Sequence, residues 1–201
     1  MEFIPNTAYK TAKIKFENST YLIKSVPNDS ENRKIFVASS REFIGQCCRL
    51  TETDRIILVK NNADEIIGVA SYKLARTKES ETDVKKSEQT LFLNSEKYHI
   101  LRYILLKNCY RKTKKLGKNL LKFIEVQMKI GVGGRNFGIR LECVPRAVNF
   151  FERNNFKAVG NIRHGTTFCQ NKDGYTPDNY FKDLQFMEKS KDFQSAKFLI
   201  D

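Results

Sequence analysis

Seven basic residues fall between positions 107 and 122 with no acidic residue among them: Lys107, Arg111, Lys112, Lys114, Lys115, Lys118 and Lys122. They straddle the junction between an apolar stretch, YHILRYILL (98–106), and a segment with helical spacing, LGKNLLKFIEVQMK (116–129). A helix N-terminus presents unpaired N–H groups and the positive end of its dipole, so it attracts anions. Lysines placed there run against the dipole unless an anion normally sits at the loop. Gly117 and the strand–loop–helix order support the same site, and the chemistry they imply is phosphate recognition. A second glycine-rich run, GVGGRNFG (131–138), follows a helix and precedes a strand. A phosphate loop needs the reverse order, so this run reads as a turn.

Metal chemistry finds little support. Two His and no clustered acidic residues leave few ligands, and no metal is expected. Cys47, Cys48, Cys109, Cys143 and Cys169 are odd in number and match neither a CxxC nor a zinc spacing, which fits an intracellular chain, and the adjacent Cys47 and Cys48 read as buried thiols.

The elements that must position the basic loop can be read from periodicity. KIKF (13–16) and TYLIKSV (20–26) alternate as two strands. Asn28-Asp29-Ser30 offers an N-cap for one or two helices over 31–48. RIILVKN (55–61) and IIGVASYKL (66–74) flank a polar turn and predict a hairpin. Residues 75–90 are almost wholly polar and read as a surface excursion, after which TLFLN (90–94) and 98–106 have strand character. Residues 116–129 place Leu116, Leu120, Leu121, Ile124 and Met128 on one face of a helix. A strand (139–144), a short helix (146–155), a strand (156–162) and a last strand (183–189) follow, with SKDFQSAKFLI as a terminal appendage. That order predicts one domain over 1–201. Its mixed α/β sheet would have an antiparallel first part leading into a β-α-β unit.

Composition agrees with a globular chain: 201 residues, 40% apolar and 29% charged. No run is apolar for long enough to cross a membrane, and the N-terminus lacks a signal-peptide layout, so an intracellular, cytoplasmic protein is expected. The net charge of +13 calls for a polyanionic partner such as a phosphate-rich cofactor, a nucleic acid or an acidic surface.

KTKKLGKNLL (112–121) resembles the pyrophosphate loop of the GNAT acyltransferases, whose pattern is Q/R-x-x-G-x-G/A. Lys112 stands at the Q/R position, Lys115 at the first Gly and Gly117 at the second. LECVPRAVNFFERNNFKAVG (141–160) is similar to the family's following strand and helix, LQFMEK to its closing strand, and the hairpin at 55–74 to its second and third strands. The resemblance covers about residues 20–190, leaving the polar insertion 75–90 and the appendage 190–201 as additions. It implies a mostly antiparallel sheet flanked by helices and splayed between strands 98–106 and 139–144.

The same resemblance implies acetyl-CoA or another acyl-CoA as cofactor and an N-acyltransferase acting by direct attack of an amine. Leu105, Leu106 and Lys107 would pair with the pantetheine arm. Lys112, Thr113, Lys114, Lys115, Leu116, Gly117 and Lys118 would hold the pyrophosphate, with Asn149 and Phe151 also at the cofactor. Two positions depart from the pattern. Lys115 replaces a Gly, and Phe151 stands where many members have the Tyr thought to protonate the thiolate. Candidates for base or acid are His99 and Tyr103, which simple strand parity puts on one face, and Glu142 on the neighbouring strand. Cys109 lies near the expected thiol path. The amine acceptor is open, and so is a nucleic-acid-associated alternative of the same fold, acylating a nucleic-acid-bound acceptor or catalytically inactive.

Overall fold

β-Branched and aromatic residues dominate the strands of a nine-stranded sheet, seen in a computed structural model that describes residues 3–6, 11–16, 19–75, 98–113, 115–134, 137–164 and 183–189. In chain order the strands are β1 (Phe3–Asn6), β2 (Thr11–Phe16), β3 (Ser19–Val26), β4 (Arg55–Lys60), β5 (Ile66–Lys73), β6 (Tyr98–Leu106), β7 (Gly138–Cys143), β8 (Lys157–His164) and β9 (Asp183–Lys189). Their order in the sheet is β1-β2-β3-β4-β5-β6-β7-β9-β8. Only β6 and β7 are parallel neighbours among the described residues. β1 has no counterpart in the sequence reading. It is a short edge strand that carries Pro5, a residue the edge tolerates and an inner strand does not. Predicted strand 90–94, most of the polar insertion, the appendage 190–201, Cys169 and Lys114 lie outside the described residues.

Among the described residues three α-helices flank the sheet: α1 (Ser30–Ile44), α2 (Leu116–Gly131) and the short α3 (Val148–Glu152). α1 begins where Asp29 accepts from Asn32 N, and ends at Gly45, whose φ of 73° suits a residue without Cβ. On the α1 face Phe36, Phe43 and Cys48 pack on Ile56, Leu58 and Val69. On the other face the α2 residues Leu116, Leu120, Leu121, Phe123, Ile124 and Met128 pack on Ile57, Val59, Ala70, Leu101, Ile139 and Leu141. A buried ion pair, Lys189 Nζ to Glu125 Oε1 at 2.8 Å, pins α2 to β9. Burial raises the Glu125 pKa, and Lys189 opposes that shift.

Candidate functional site

β6 and β7 pair from Tyr98↔Gly138 to Leu101↔Leu141 and then separate, although β6 runs on to Leu106 and β7 to Cys143. Beyond Leu101 a gap therefore opens between two strands that each keep only their outer neighbour, β5 for β6 and β9 for β7. In an antiparallel ladder alternate residues send their N–H and C=O to the same side. Lys107 N donates to Ile67 O on β5, at 2.9 Å. By that parity Leu105 also faces β5, while Ile104 and Leu106 turn their backbone groups to the gap. Of the three residues expected to meet a pantetheine arm, Leu106 is thus placed to do so by its backbone. Ile104, which sequence reasoning did not single out, turns its backbone groups the same way.

Past Leu106 the chain makes a single 3-10 turn (Asn108–Tyr110) and then enters α2. Lys115, the residue before α2, is left-handed with φ 67° and ψ −2°. An L-residue is strained there and a glycine is not. The loop therefore keeps the backbone form of the glycine in the resembled pattern. Helix geometry leaves the N–H groups of Gly117 and Lys118 without an intrahelical carbonyl. A Cβ on Gly117 would sit 3.4 Å from the Phe150 ring and 3.7 Å from Leu106, so the first turn of α2 packs closely over the end of β6. Lys112, Lys115 and Lys118 are exposed around this turn, Thr113 is half-buried and Leu116 is buried.

Two members of the basic run are engaged elsewhere. Lys107 pairs with Glu42 at 2.9 Å and with Glu65, which raise its pKa. Arg111 Nε donates to Leu106 O and its Nη2 to Phe43 O, each at 2.9 Å.

The proposed base and acid positions do not converge as simple alternation predicts. Ser71 pairs with Tyr103 and Tyr72 with Leu101, so Arg102 is an extra residue, a β-bulge. The bulge reverses parity: Leu101 faces α2, whereas Tyr103 and Leu105 pack on the α1 face. His99 and Tyr103 are therefore on opposite faces, which corrects the expectation that they share one. His99, 2% exposed, sits where β6 and β7 are still paired. Its Nδ1 accepts from Ala75 N at 3.0 Å and its ring meets Phe137 edge-on. Burial pushes its pKa down to about 4, so it is neutral with the proton on Nε2. This geometry holds His99 in the paired part of the sheet, away from the gap.

On β7, Ile139, Leu141 and Cys143 face α2, which places Glu142 on the α1 face with Tyr103. Both lie beyond the last β6–β7 pair. Phe36 covers Tyr103 at a centroid distance of 5.9 Å, and the Arg102 guanidinium lies 5.7 Å from its ring centre. Phe151 is 4% exposed, its ring edge-on to Phe150 and Phe156. Asn149 is exposed on α3. Cys109 is exposed, while burial pushes the Cys143 thiol up to about 12. Among the described residues no group of His, Cys, Asp and Glu could hold a metal, and no helix is long and apolar enough to cross a membrane.

No family model matches the chain, and no curated protein does. Solved structures match in fold. A ribosomal-protein alanine N-acetyltransferase from Escherichia coli aligns over 88% of this chain and 97% of its own, with a TM-score of 0.55 at 13% identity. A spermidine N-acetyltransferase chimera from Vibrio cholerae aligns over 84% and 95%, with a TM-score of 0.53 at 11% identity. A GNAT-family acetyltransferase from Desulfovibrio desulfuricans aligns over 85% and 99%, with a TM-score of 0.50 at 12% identity. The fold is that of the GNAT acetyltransferases.

Proposed function

We propose that the chain is an acyl-CoA-dependent N-acyltransferase whose cofactor lies in the gap between β6 and β7. The observation that carries this reading is the end of β6–β7 pairing at Leu101↔Leu141 immediately before a basic loop and a helix N-terminus. The residues present fit the group. Ile104 and Leu106 offer strand-like hydrogen bonds to an amide-bearing arm, and the first turn of α2 offers N–H groups to a pyrophosphate. Lys112, Lys114 and Lys118 supply the charge. Lys115 does not spoil the loop, because its backbone is already left-handed.

A bound acyl-CoA supplies an acyl carbonyl activated as a thioester. The chain must then orient an amine and move two protons. Glu142 takes the proton that the acceptor's ammonium loses, and Tyr103, on the same face, gives one to the departing sulfur. Phe151 has no hydroxyl to donate. As the nitrogen–carbon bond forms and the carbon–sulfur bond breaks, the new amide nitrogen sheds its second proton, which restores the Tyr103 hydroxyl, and Glu142 passes the first to solvent.

Coenzyme A and acetyl-CoA should raise the melting temperature. At a hundredfold excess over Kd the gain is about 2.7 kcal/mol, or roughly 5–10 °C for a chain of this size. Alanine at Lys112, Lys114 and Lys118 together should remove most of it. Melting that is unchanged at millimolar coenzyme A would reject the cofactor.

A further inference from the structure

Two carbonyls in this fold lose their regular partners for unrelated reasons. Phe43 lies in the last turn of α1, where the final carbonyls have no helical N–H ahead of them. Leu106 lies past the last β6–β7 pair, and ladder parity turns its carbonyl to the gap. One guanidinium satisfies both: Arg111 donates through Nη2 to Phe43 O and through Nε to Leu106 O, each at 2.9 Å. Its charge also suits the negative end of the α1 dipole. Lys107 makes a parallel tie, to Glu42 in the same turn of α1 and to Glu65 in the β4–β5 turn. The end of β6 is thus fastened to the end of the helix that covers Tyr103.

We infer that Arg111 is a positioning residue that transmits occupancy of the gap to the C-terminus of α1. The inference rests on the cofactor reading above. An amide donor entering the gap meets the Leu106 carbonyl where Arg111 Nε already lies. An anion at the loop beside Lys112 offers the guanidinium a charge-assisted partner, which is stronger than a neutral carbonyl. Arg111 moves to that anion and leaves Phe43, and the last turn of α1 loses its cap. Phe43, in that turn, belongs to the apolar cluster against which Tyr103 packs, so filling the gap loosens the face on which the acceptor must arrive.

Hydrogen exchange on the full chain tests this with coenzyme A as the probe. Two amides report on the end of α1: Gly45 N, which donates to Arg41 O, and Cys48 N, which donates to Ser40 Oγ. In the wild type, saturating coenzyme A should raise melting yet speed exchange at these amides by about fivefold or more, the lower end of usual coupling. Arg111→Ala should exchange fast there with or without coenzyme A. Arg111→Lys keeps the charge but not the planar fork that spans two carbonyls, so it should also lose the response. If Arg111→Ala does not fold, the lysine variant carries the comparison. A purely structural cap gives another pattern: fast exchange in Arg111→Ala but no effect of coenzyme A on the wild type, and that result overturns the inference. Absence of any melting shift in the wild type rejects the cofactor reading itself, which keeps the two failures apart.

Discussion

Burial of His99 against Phe137 and the Ala75 amide keeps its ring neutral well below the pH at which a free imidazole takes a proton. The unfolded chain binds that proton near pH 6.5, and the folded chain resists it until about pH 4. Stability is therefore complete above pH 6.5, falls as pH drops through that window and levels off below it. The loss reaches about 3 kcal/mol at most. His99→Gln removes the titration and keeps an acceptor for Ala75 N–H. Its melting temperature should fall less between pH 7 and pH 4.5 than that of the wild type. Equal falls would mean that proton uptake at His99 costs the fold nothing. At this scale the sequence was legible where a residue acts through its own type. Lys115 was visible as a departure from glycine, and Phe151 as a missing hydroxyl. The partner of His99 was not legible, because it is an amide donor 24 positions away in sequence.

Element boundaries followed from periodicity with little loss. β6 and β9 span the residues that alternation assigned to them, and α2 starts at Leu116 as its apolar spacing requires. The faces of β6 were not legible, because a bulge is a property of two strands and leaves no mark in the one that carries it. Arg102 therefore moved Tyr103 off the face of His99 and onto the face that carries Glu142. The turn into α2 holds the clearest element-level tension. Lys115 is left-handed, which costs an L-residue roughly 1–2 kcal/mol, while glycine there would cost about 0.4–1 kcal/mol through the freer unfolded chain. Lys115→Gly should thus gain about 0.5–1 kcal/mol, or roughly 1–4 °C in melting without ligand. Lys115→Ala keeps the Cβ and the strain, so it serves as the control and should gain nothing. Equal melting for the glycine and alanine variants would contradict the left-handed assignment.

The charge of the whole molecule, +13, is the feature that composition made plainest, and the fold shows that two of the described residues of the basic run are already engaged. Lys107 is bound by Glu42 and Glu65, and Arg111 by two carbonyls. Lys112, Lys115 and Lys118 remain exposed, and they surround the N-terminus of α2, where a pyrophosphate would sit. A polyanion drawn by the net charge should therefore compete with coenzyme A for the same turn. Duplex DNA held by these three lysines would show a slope of about −2.7 in log affinity against log salt. Raising salt from about 50 to 200 mM would then weaken binding roughly forty-fold. Saturating coenzyme A should displace the DNA at low salt, and alanine at the three lysines should abolish binding. Titration by fluorescence anisotropy at the two salt concentrations, with and without coenzyme A, reads all three effects. DNA binding that persists with coenzyme A bound would require a second basic surface, and the nucleic-acid alternative would then stand on its own. Loss of DNA to coenzyme A would reduce it to general attraction between a basic loop and phosphate.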